Sequence, residues 1–374
     1  MKSTMIDALA DRRVALAHDW LVGMRGGEQV LDRLARLFGP TELYTLVDDG
    51  RPMTDAIRAC SVITSSLQHL PGASGGLRRW YLPLMPWAVE RLDVAPCDLL
   101  ISTSSAVMKS IRAPRGTPHV CYCHSPARYF WEQTDEYASG RGGCVRSLGL
   151  RMMRRRFQRW DCTTAKRVDR FIANSAHTAA RIMRCYGRES HVVYPPVRTE
   201  FFTPDARVQR EEWLLVVSAL EPYKKTELVI EAANRAGFSL KIAGSGSQAK
   251  RLAALAGPTV EMLGRVSDEK LHELYRRAKA LVFPQMEDFG IIAVEAQAAG
   301  CPVVAFAAGG ALETVNDETG VFFAEQSPSA LIDAAEEARV KRFDASKCRA
   351  NAERFSEAAF DEAMLRHVRE ALGL

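Results

Sequence analysis

The sequence predicts an α/β protein built from two doubly wound domains, and three observations lead to this prediction. The chain has 374 residues, of which 47% are hydrophobic and 25% charged, and this length suits two ordinary domains. Short apolar runs alternate with amphipathic stretches, as in parallel sheets that helices cover on both faces. The alternation breaks off in YPPVRTEFFTPDARVQREE (194–212), a segment rich in proline and charge, and then starts again.

The first half begins with a buried-strand pattern, which is followed by a glycine-bearing turn, LVGMRGGE, and a helical stretch near residues 28–38. Apolar runs that alternate with helices indicate parallel strands. The predicted strands of this half are RVALAHDW (13–20), ELYTLV (42–47), DLLIST (98–103), HVCYCHS (119–125), RFIANS (170–175) and HVVYPPV (191–197). We therefore expect an N-terminal domain over residues 1–204.

The second half repeats this rhythm. Its predicted strands are WLLVVSAL (213–220), SLKIAGS (239–245), TVEMLG (259–264), ALVFP (280–284), PVVAF (302–306) and GVFFA (320–324), and its predicted helices lie near 223–236, 247–256, 267–279, 290–300 and 328–341. We expect a C-terminal domain over residues 205–355, a cleft between the domains, and ligands at the carboxyl ends of the strands. Residues 356–374 predict a final helix that could pack back across either domain.

The composition argues against several classes of protein. A net charge of +5 is compatible with an anionic ligand or surface but is modest for a nucleic-acid binder. The nine cysteines include no Cys-x-x-Cys pair, so we expect no disulfide framework, no zinc site and a cytoplasmic location. The N-terminal MKSTMIDALADRR lacks the apolar core of a signal peptide. The longest apolar stretches, such as LPLMPWAV (82–89), are too short to span a bilayer.

Two glutamates eight residues apart mark the stretch EDFGIIAVE (287–295). Phe289 and Gly290 follow a predicted strand, and the helix after them begins with amides that have no helical partner. Such a helix start favours a phosphate or another oxyanion. Because helical side chains lean toward the N-terminus, Glu287 and Glu295 could border one ligand and accept hydrogen bonds from the hydroxyls of a sugar or a ribose. The alternative is that Glu295 is a half-buried acid with a structural partner.

These residues resemble the E-x7-E motif of retaining glycosyltransferases with the GT-B fold, specifically family 4. The resemblance extends over most of the chain and includes AHDWLVGMRGGEQVL near the start, CYCHSP (121–126), IANSAHTAARI (172–182), VSALEPYKKTELVIEA (217–232), IAGSGS, LGRVSDEKLHELYRRAKALVFP (263–284) and AVEAQAAGCPVVAFAAGGALETV (293–315). Within this family the chain resembles bacterial mannosyltransferases of O-antigen or exopolysaccharide assembly. The resemblance implies two Rossmann-like domains that face each other across a cleft.

The resemblance also implies roles for residues of the second half. Glu287 would hold hydroxyls of the donor sugar, and Glu295 the ribose. The amides of Phe289, Gly290 and Ile291 would face the sugar and the diphosphate. Lys224 matches the lysine that grips the diphosphate, and a lysine after a strand end is a mobile point charge suited to a leaving phosphate. Without the motif, a solvated surface lysine would be the better interpretation.

One position departs from the family pattern. Many relatives carry an arginine where Ala219 stands, so Lys225 or Arg265 substitutes for it, or the diphosphate is held with one cation fewer. The backbone around Val266 would contact the base. Gly244 lies in a GSGS turn that lacks the Gly-Lys-Ser/Thr ending of a phosphate loop. We interpret this turn as one that keeps side chains away from the nucleotide, or as a simple strand-to-helix turn.

The first half carries further candidates. Gly26 and Gly27 lie between the first strand and the first helix, where the backbone could approach the donor phosphate or the acceptor; the alternative is a tight turn. His124 ends a predicted strand and matches the family's histidine near the donor sugar, so we predict a catalytic role for it together with Glu287. The pair His18 and Asp19 ends the first strand and is either part of an acceptor pocket or structural.

Two stretches could touch a membrane. GLRRWYLPLMPWAVERL (76–92) mixes aromatic residues with arginines. In GLRMMRRRFQRW (149–160), a helix would place Leu150, Met153, Phe157 and Trp160 on one stripe and its arginines beside it. A basic amphipathic helix is typical of an anchor on anionic lipid. The alternative is a helix packed on its domain with a solvated charged face.

We therefore expect a metal-independent retaining glycosyltransferase with no cofactor. The donor would be a nucleotide-diphospho-sugar, GDP-mannose by resemblance, and the acceptor a saccharide, lipid-linked and at the inner face of the cytoplasmic membrane. A metal-dependent transferase of the other fold would need Asp-x-Asp, which the chain lacks. A glycosidase also uses two acids but has no use for Lys224 and a phosphate-binding helix start. A nucleotide-sugar epimerase of the same fold stays open as an alternative, and a nucleic-acid binder is the weaker one.

Overall fold

A computed structural model of the chain describes residues 12–131 and 143–374, with side chains for all of these except Arg79 and 143–153. The chain divides into two compact units. The first unit runs to Tyr194 and also contains Phe360–Leu374. The second unit is Pro195–Ala359.

The first unit is built on a seven-stranded sheet in the order β3-β2-β1-β4-β5-β6-β7, with every neighbouring pair parallel. The strands are β1 Val14–His18, β2 Glu42–Thr45, β3 Ser61–Thr64, β4 Leu99–Ser104, β5 His119–Cys123, β6 Arg170–Ala173 and β7 His191–Val192. Six of them are predicted by the sequence. Strand β3 was not predicted, because it is short, lies at the edge of the sheet and has only exposed or half-buried residues.

Helices cover both faces of this sheet. They are α1 Gly26–Phe38, α2 Asp55–Arg58, α3 Met85–Val89, α4 Arg128–Trp131, α5 Gly143–Ala165 and α6 Ala176–Tyr186, with 3₁₀ turns at Ser66–His69, Arg78–Leu84 and Met108–Ser110. The final helix, α14, is Glu357–Leu372. Its residues Phe360, Met364 and Val368 join the core that β1 and β4 form on one face of this sheet. Most of this helix is therefore part of the first unit.

The second unit has a six-stranded parallel sheet in the order β10-β9-β8-β11-β12-β13. Its strands are β8 Trp213–Val217, β9 Ser239–Ala243, β10 Val260–Gly264, β11 Ala280–Phe283, β12 Val303–Phe306 and β13 Gly320–Phe323. Its helices are α7 Thr226–Ala236, α8 Ala249–Leu255, α9 Asp268–Arg277, α10 Ile291–Ala298, α11 Ala311–Thr314, α12 Pro328–Val340 and α13 Ala345–Glu353, with a 3₁₀ turn at Pro222–Lys224. All six strands were predicted, whereas α11 and α13 were not.

The proline-rich segment that the sequence suggests as a linker lies within the second unit, beyond Tyr194. The amide of Val197 donates to the carbonyl of Phe355 at 2.9 Å, so the two stretches by which the chain enters and leaves this unit pair with each other. Arg210 donates to the carbonyls of Tyr275 and Ala278 at 3.1 and 2.7 Å. The segment is therefore anchored along its length.

Helix α5 packs on the first unit through residues that the sequence analysis assigned to a lipid-facing stripe. Phe157 is 4% exposed and stacks on Phe130 at 4.6 Å between ring centroids. The indole N–H of Trp160 donates to Glu90. Both rings pack against the core of the unit. They therefore agree with the alternative prediction of a helix packed on its domain. The side chains of Leu150, Met153 and Arg151 lie outside the described residues. Over the described residues, no helix has the length and apolar character needed to cross a membrane.

The strand order fixes where ligands can be expected. In each sheet, successive strands are first added on one side of the first strand and then on its other side. The order therefore reverses between β1 and β4 and between β8 and β11. In doubly wound sheets this switch point, at the carboxyl ends of the strands, is where ligands bind. His18 ends β1, and the loop over residues 284–290 follows β11.

Candidate functional site

The loop between β11 and α10 places the second unit's candidate residues. Gly290 precedes the helix with φ of 93°, in the left-handed region. An alanine there would bring its Cβ within 2.8 Å of the Phe283 ring, so both conformation and space require glycine. The start of α10 has no side-chain cap and no acid in its first turn. The amide of Ala293 donates to the carbonyl of Gly290 at 3.0 Å. The amides of Ile291 and Ile292 before it are thus left to a ligand or solvent.

Lys224 and Glu287 meet at this loop. Lys224 ends the 3₁₀ turn that follows β8, and its ammonium group forms an ion pair with the carboxylate of Glu287. The side chains are 12% and 22% exposed. Gln285, which is buried, donates its side-chain amide to the same carboxylate oxygen at 2.9 Å. A cation and an acid, each predicted to contact the donor, therefore lie side by side.

Two glycines allow a neighbouring segment to approach the backbone of this loop closely. The amide of Gly310 donates to the carbonyl of Glu287 at 2.8 Å. A Cβ at Gly310 would lie 2.3 Å from Cα of Phe289, and one at Gly309 would lie 2.3 Å from the carbonyl oxygen of Glu287. Sequence reasoning missed both glycines and Gln285. The Gly-Gly dipeptide in FAAGGALE was the available signal for close backbone approach.

Glu295 is more deeply buried than the sequence indicated, with 4% of its surface exposed. Burial raises its pKa to about 7, the charge of Arg198 opposes this rise, and Asp268 adds to it. The hydroxyl of Tyr275 donates to its carboxylate at 3.3 Å, and Arg198 forms an ion pair with Asp268 at 2.6 Å. Glu295 thus has protein partners in this state, as the structural alternative expects. Sequence reasoning missed Arg198 and Tyr275, which no local spacing connects to it.

The GSGS turn packs tightly against the loop that follows β8. Gly244 has φ of 143°, and a Cβ there would lie 1.8 Å from the carbonyl oxygen of Ser218. A Cβ at Gly246 would lie 2.4 Å from the carbonyl oxygen of Leu220, whose amide donates to Ser245. These glycines allow two loops at neighbouring strand ends to touch, which a tight strand-to-helix turn requires.

The other predicted cations do not join Lys224 and Glu287. Lys225 adopts a left-handed conformation with φ of 54°, and both it and Arg265 are exposed. Neither forms an ion pair with a residue that the structure describes. Ala219 is also exposed, and Val266 lies half-buried in the turn before α9. Which cation replaces the missing arginine thus stays a prediction.

In the first unit, Gly27 lies between two imidazole rings. A Cβ at Gly27 would lie 3.5 Å from Cε1 of His18 and 3.6 Å from Nε2 of His124. Gly26, one residue earlier, is exposed, and His124 is half-buried. The carbonyl of His124 accepts from the side chain of Asn174 at 3.1 Å. The structure therefore groups three of the residues that the sequence selected in this half.

Glu28 completes this group and was missed by sequence reasoning. It is 3% exposed, it accepts the amide of Arg25 at 3.1 Å, and its other oxygen lies 3.7 Å from Nε2 of His18. Burial alone would raise the pKa of Glu28, but the hydrogen bond and charge of His18, backbone donation and the charge of Arg25 lower it overall. Its position as the third residue of α1 is that of a capping acid, which was the available signal.

Asp19 holds the segment that follows β4. Its carboxylate is 1% exposed and accepts backbone amides in a row, from Ser105, Ala106, Val107 and Met108, at 2.5, 2.9, 2.9 and 2.8 Å. Next to it, Nδ1 of His18 is 2.6 Å from the hydroxyl of Thr103. Because these amides occupy both oxygens of Asp19, the geometry supports the structural alternative for this residue.

Two protein-family models match consecutive parts of the chain. Residues 25–201 match Glycosyltransferase Family 4, and residues 197–355 match Glycosyl transferases group 1. The D-inositol 3-phosphate glycosyltransferase of Geodermatophilus obscurus is 33% identical over 195 residues, which are 43% of this chain and 43% of that protein. The chain thus covers less than half the length of this curated relative.

Solved structures match over almost the whole chain. HepE of Anabaena, crystallised with UDP and glucose, has a TM-score of 0.67 at 18% identity and covers 96% of this chain and 99% of its own. WaaG, described as a glycosyltransferase involved in lipopolysaccharide biosynthesis, has a TM-score of 0.62 at 17% identity and covers 94% of this chain and 98% of its own. At this identity the likeness shows the fold, and the predicted fold class, two Rossmann-like units as in GT-B structures, is confirmed.

Proposed function

We propose that this chain, which joins a glycosyltransferase Family 4 domain to a glycosyl transferases group 1 domain, transfers a hexose from a nucleotide-diphospho-sugar to a hydroxyl of a saccharide. The bond from the sugar's anomeric carbon to the diphosphate breaks, and a bond to the acceptor oxygen forms. The proton of the acceptor hydroxyl passes to the departing diphosphate, which is released as the nucleoside diphosphate. We assign donor binding to the second unit and acceptor binding to the first.

The ion pair of Lys224 and Glu287 carries this proposal. A donor needs a cation for its diphosphate and an acceptor of hydrogen bonds for its sugar hydroxyls, and this pair supplies one of each. Both groups lie at the loop before α10, whose first amides are uncapped and favour an anion. An ion pair with a structural role alone would have no need of an uncapped helix start beside it.

The pair also suggests how the donor is accepted. A diphosphate carries more charge than the carboxylate of Glu287, so on binding it should attract the ammonium group of Lys224. Glu287 would then lose its cation and keep the amide of Gln285, which donates to it at 2.9 Å. Its remaining lone pairs could receive sugar hydroxyls. Binding of the leaving group would thus prepare the group that orients the sugar.

The identity of donor and acceptor forms the finer part of the proposal. We propose a retaining transfer that needs no metal, with GDP-mannose as donor, as the sequence resemblance implies, and with a lipid-linked saccharide of surface polysaccharide synthesis as acceptor. HepE was crystallised with UDP and glucose, so UDP-glucose is the competing donor. Incubation with a panel of nucleotide sugars, with and without EDTA, identifies the donor by slow hydrolysis. Recovery of an epimerised nucleotide sugar would instead indicate an epimerase.

The decisive experiment titrates the matching nucleoside diphosphate and nucleoside into wild type and Lys224→Ala. Charge-assisted contacts are worth about 1.5–3 kcal/mol, so we expect the Kd of the diphosphate to rise about 10- to 100-fold. The Kd of the nucleoside should change little. Lys250→Ala, which removes an exposed lysine on α8 of the same unit, is the control. Equal losses for both ligands would remove Lys224 from the diphosphate site.

A further inference from the structure

An apolar ribbon on the first unit leaves large side chains in solvent. It spans residues 77–89 and consists of the 3₁₀ turn Arg78–Leu84 and helix α3. Large apolar residues recur on its outer face at a spacing of three, four and three. They are Leu77, Trp80, Leu84 and Trp87, and they are 47%, 50%, 46% and 49% exposed.

The inner face of the same ribbon is buried in the core of the unit. Leu82, Met85, Ala88 and Val89 are between 0% and 2% exposed and belong to one core cluster of the first unit. These buried residues anchor the ribbon on the unit. A soluble monomer rarely exposes a contiguous patch of large apolar side chains without an interaction to serve.

A groove with a volume of about 650 Å³ borders this ribbon. The ribbon and helix α5, which the sequence analysis marked separately as candidate membrane contacts, meet in it. Its walls are Pro83, Pro86, Trp87, Glu90, Arg91, Arg112, Arg156, Phe157 and Trp160. Because Phe157 and Trp160 pack into the unit, the apolar groups available at the rim come from the ribbon.

The charge of the groove is positive. Glu90 is its acid, and it binds the guanidinium groups of Arg112 and Arg167 at 2.6 and 3.1 Å. Arg156 is exposed and has no ion-pair partner among the described residues. Arg91 lies over the ring of Trp87 at 4.5 Å. A tryptophan and an arginine that share one edge form the combination that favours the boundary between acyl chains and anionic headgroups.

We propose that the ribbon 77–89 and this groove dock the first unit on an anionic lipid surface. The rings of Trp80 and Trp87 enter the interface, and Arg91 and Arg156 face the headgroup phosphates. The inference rests on the proposed function, because it names the partner of the acceptor-binding unit. Vesicle binding is measured without any transfer assay, so the two proposals can fail separately.

Lipid suits this surface better than a second copy of the chain or a nucleic acid. Exposed apolar side chains recur along the ribbon, and Arg91 and Arg156 line the groove beside Trp87, which matches the layered polarity of a membrane surface. A second copy would bring the same positive groove against this one, and the like charges would repel. A nucleic acid would be bound mainly by arginines and would lose little when the tryptophans are removed.

The experiment is co-sedimentation with vesicles of phosphatidylcholine alone or with about one third phosphatidylglycerol, at low and high salt. We expect wild type to bind the anionic vesicles, and salt to weaken the binding because it screens the arginines. The variants are Trp80→Ser with Trp87→Ser, and Arg91→Glu with Arg156→Glu. Each pair should lower the affinity about tenfold or more.

Two matched pairs serve as controls. Leu312→Ser with Val340→Ser removes apolar residues that are 57% and 83% exposed on the second unit, and Lys250→Glu with Arg342→Glu makes the same charge change there. Both should bind like wild type, and an unchanged Tm shows that each variant folds. Wild type that ignores anionic vesicles at low salt, or surface variants that bind fully, would overturn the proposal. A dimer that the tryptophan variant dissociates would assign the ribbon to a second copy instead.

Discussion

Helices α1 and α10 begin in similar places. They differ in whether an acidic side chain lies in the first turn. Each follows a strand and a glycine-containing loop. In α1, Glu28 is the third residue, it accepts the amide of Arg25, and its pKa is lowered. In α10 the first turn contains no acid, and Glu295, the fifth residue, has its pKa raised to about 7 by burial. One helix start is thus occupied by the protein's own anion, whereas the other is open.

Because of this difference, the two helix starts suit different ligands. A carboxylate at a helix start offsets the positive end of the dipole and uses its amides, so the surroundings of Gly27 suit a neutral hydroxyl better than a phosphate. The start of α10 keeps its positive potential and has Lys224 nearby. The sequence left open contact with the donor phosphate, contact with the acceptor, or a tight turn for Gly26 and Gly27. Of the two ligand contacts, the electrostatics favour the acceptor.

The largest expected effect comes from removing the acid beside the open helix start. Replacement of Glu287 by alanine should lower kcat by about 10²–10³-fold, since an orienting hydrogen bond to a reacting sugar is worth about 2.7–4 kcal/mol in the transition state. The Kd of the nucleoside diphosphate should stay equal or tighten, because Lys224 loses its competing partner. Steady-state kinetics and calorimetric titration measure the two quantities.

Glu325→Ala is the matched control for this variant, since it removes an exposed acid from the same unit. It should leave kcat unchanged. Turnover near wild type in Glu287→Ala would remove this residue from the reaction.

The second prediction concerns the acid buried one turn into α10. A folded-state pKa of about 7, against 4.5 for an ordinary glutamate, means that the folded chain keeps a proton that the unfolded chain releases. Stability should therefore fall as the pH rises from about 4.5 to about 7, by about 3 kcal/mol at 1.4 kcal/mol per pH unit. In Glu295→Gln this contribution should vanish, and the variant should be more stable than wild type at pH 8.

Urea denaturation at pH 5 and pH 8 checks this prediction, with Glu325→Gln as the control. A wild type whose difference from Glu295→Gln is the same at both pH values would show that Glu295 is ionised throughout.

The smallest effect concerns the occupied helix start. Glu28→Gln should lower the free energy of unfolding at pH 7 by about 1 kcal/mol, the usual value of a helix cap. Because the pKa of Glu28 is lowered from 4.5, its contribution is complete above that pH and is lost as the pH falls through the lower folded-state value. The Kd of the nucleoside diphosphate should stay within about twofold of wild type. A larger change would mean that α1 also contacts the phosphates.

The sequence predicted the sheets well because their strands are continuous apolar runs. All strands of the second unit and six of the first were recognised from such runs. Of the missed elements, β3 and α11 are short or exposed, whereas α13 has nine residues and buries Cys348 and Ala352 within a largely polar sequence. Strand β3 lies at an edge, and α11 has only four residues. Periodicity reports burial, so elements that bury little escape it.

The candidate site was predictable only in part. Motif resemblance selected Lys224 and Glu287, which lie 63 positions apart and contact each other in the fold. Gly310 was missed because its hydrogen bond with Glu287 depends on which strands become neighbours. Arg198 was missed because its charge reaches Glu295 only through the fold. The burial of Phe157 was missed for the same reason, since its partner is Phe130 on a separate helix.

Helix α14 completes the first unit but is synthesised last. Its residues from Phe360 onwards enter a core that strands near the N-terminus began, yet they are synthesised after the whole second unit. During translation that unit, one continuous stretch, can fold while the first unit still exposes the apolar surface that Phe360 and Met364 will cover, and such surface attracts chaperones or aggregates. A stop codon just before Phe360 would therefore damage the domain that left the ribosome first.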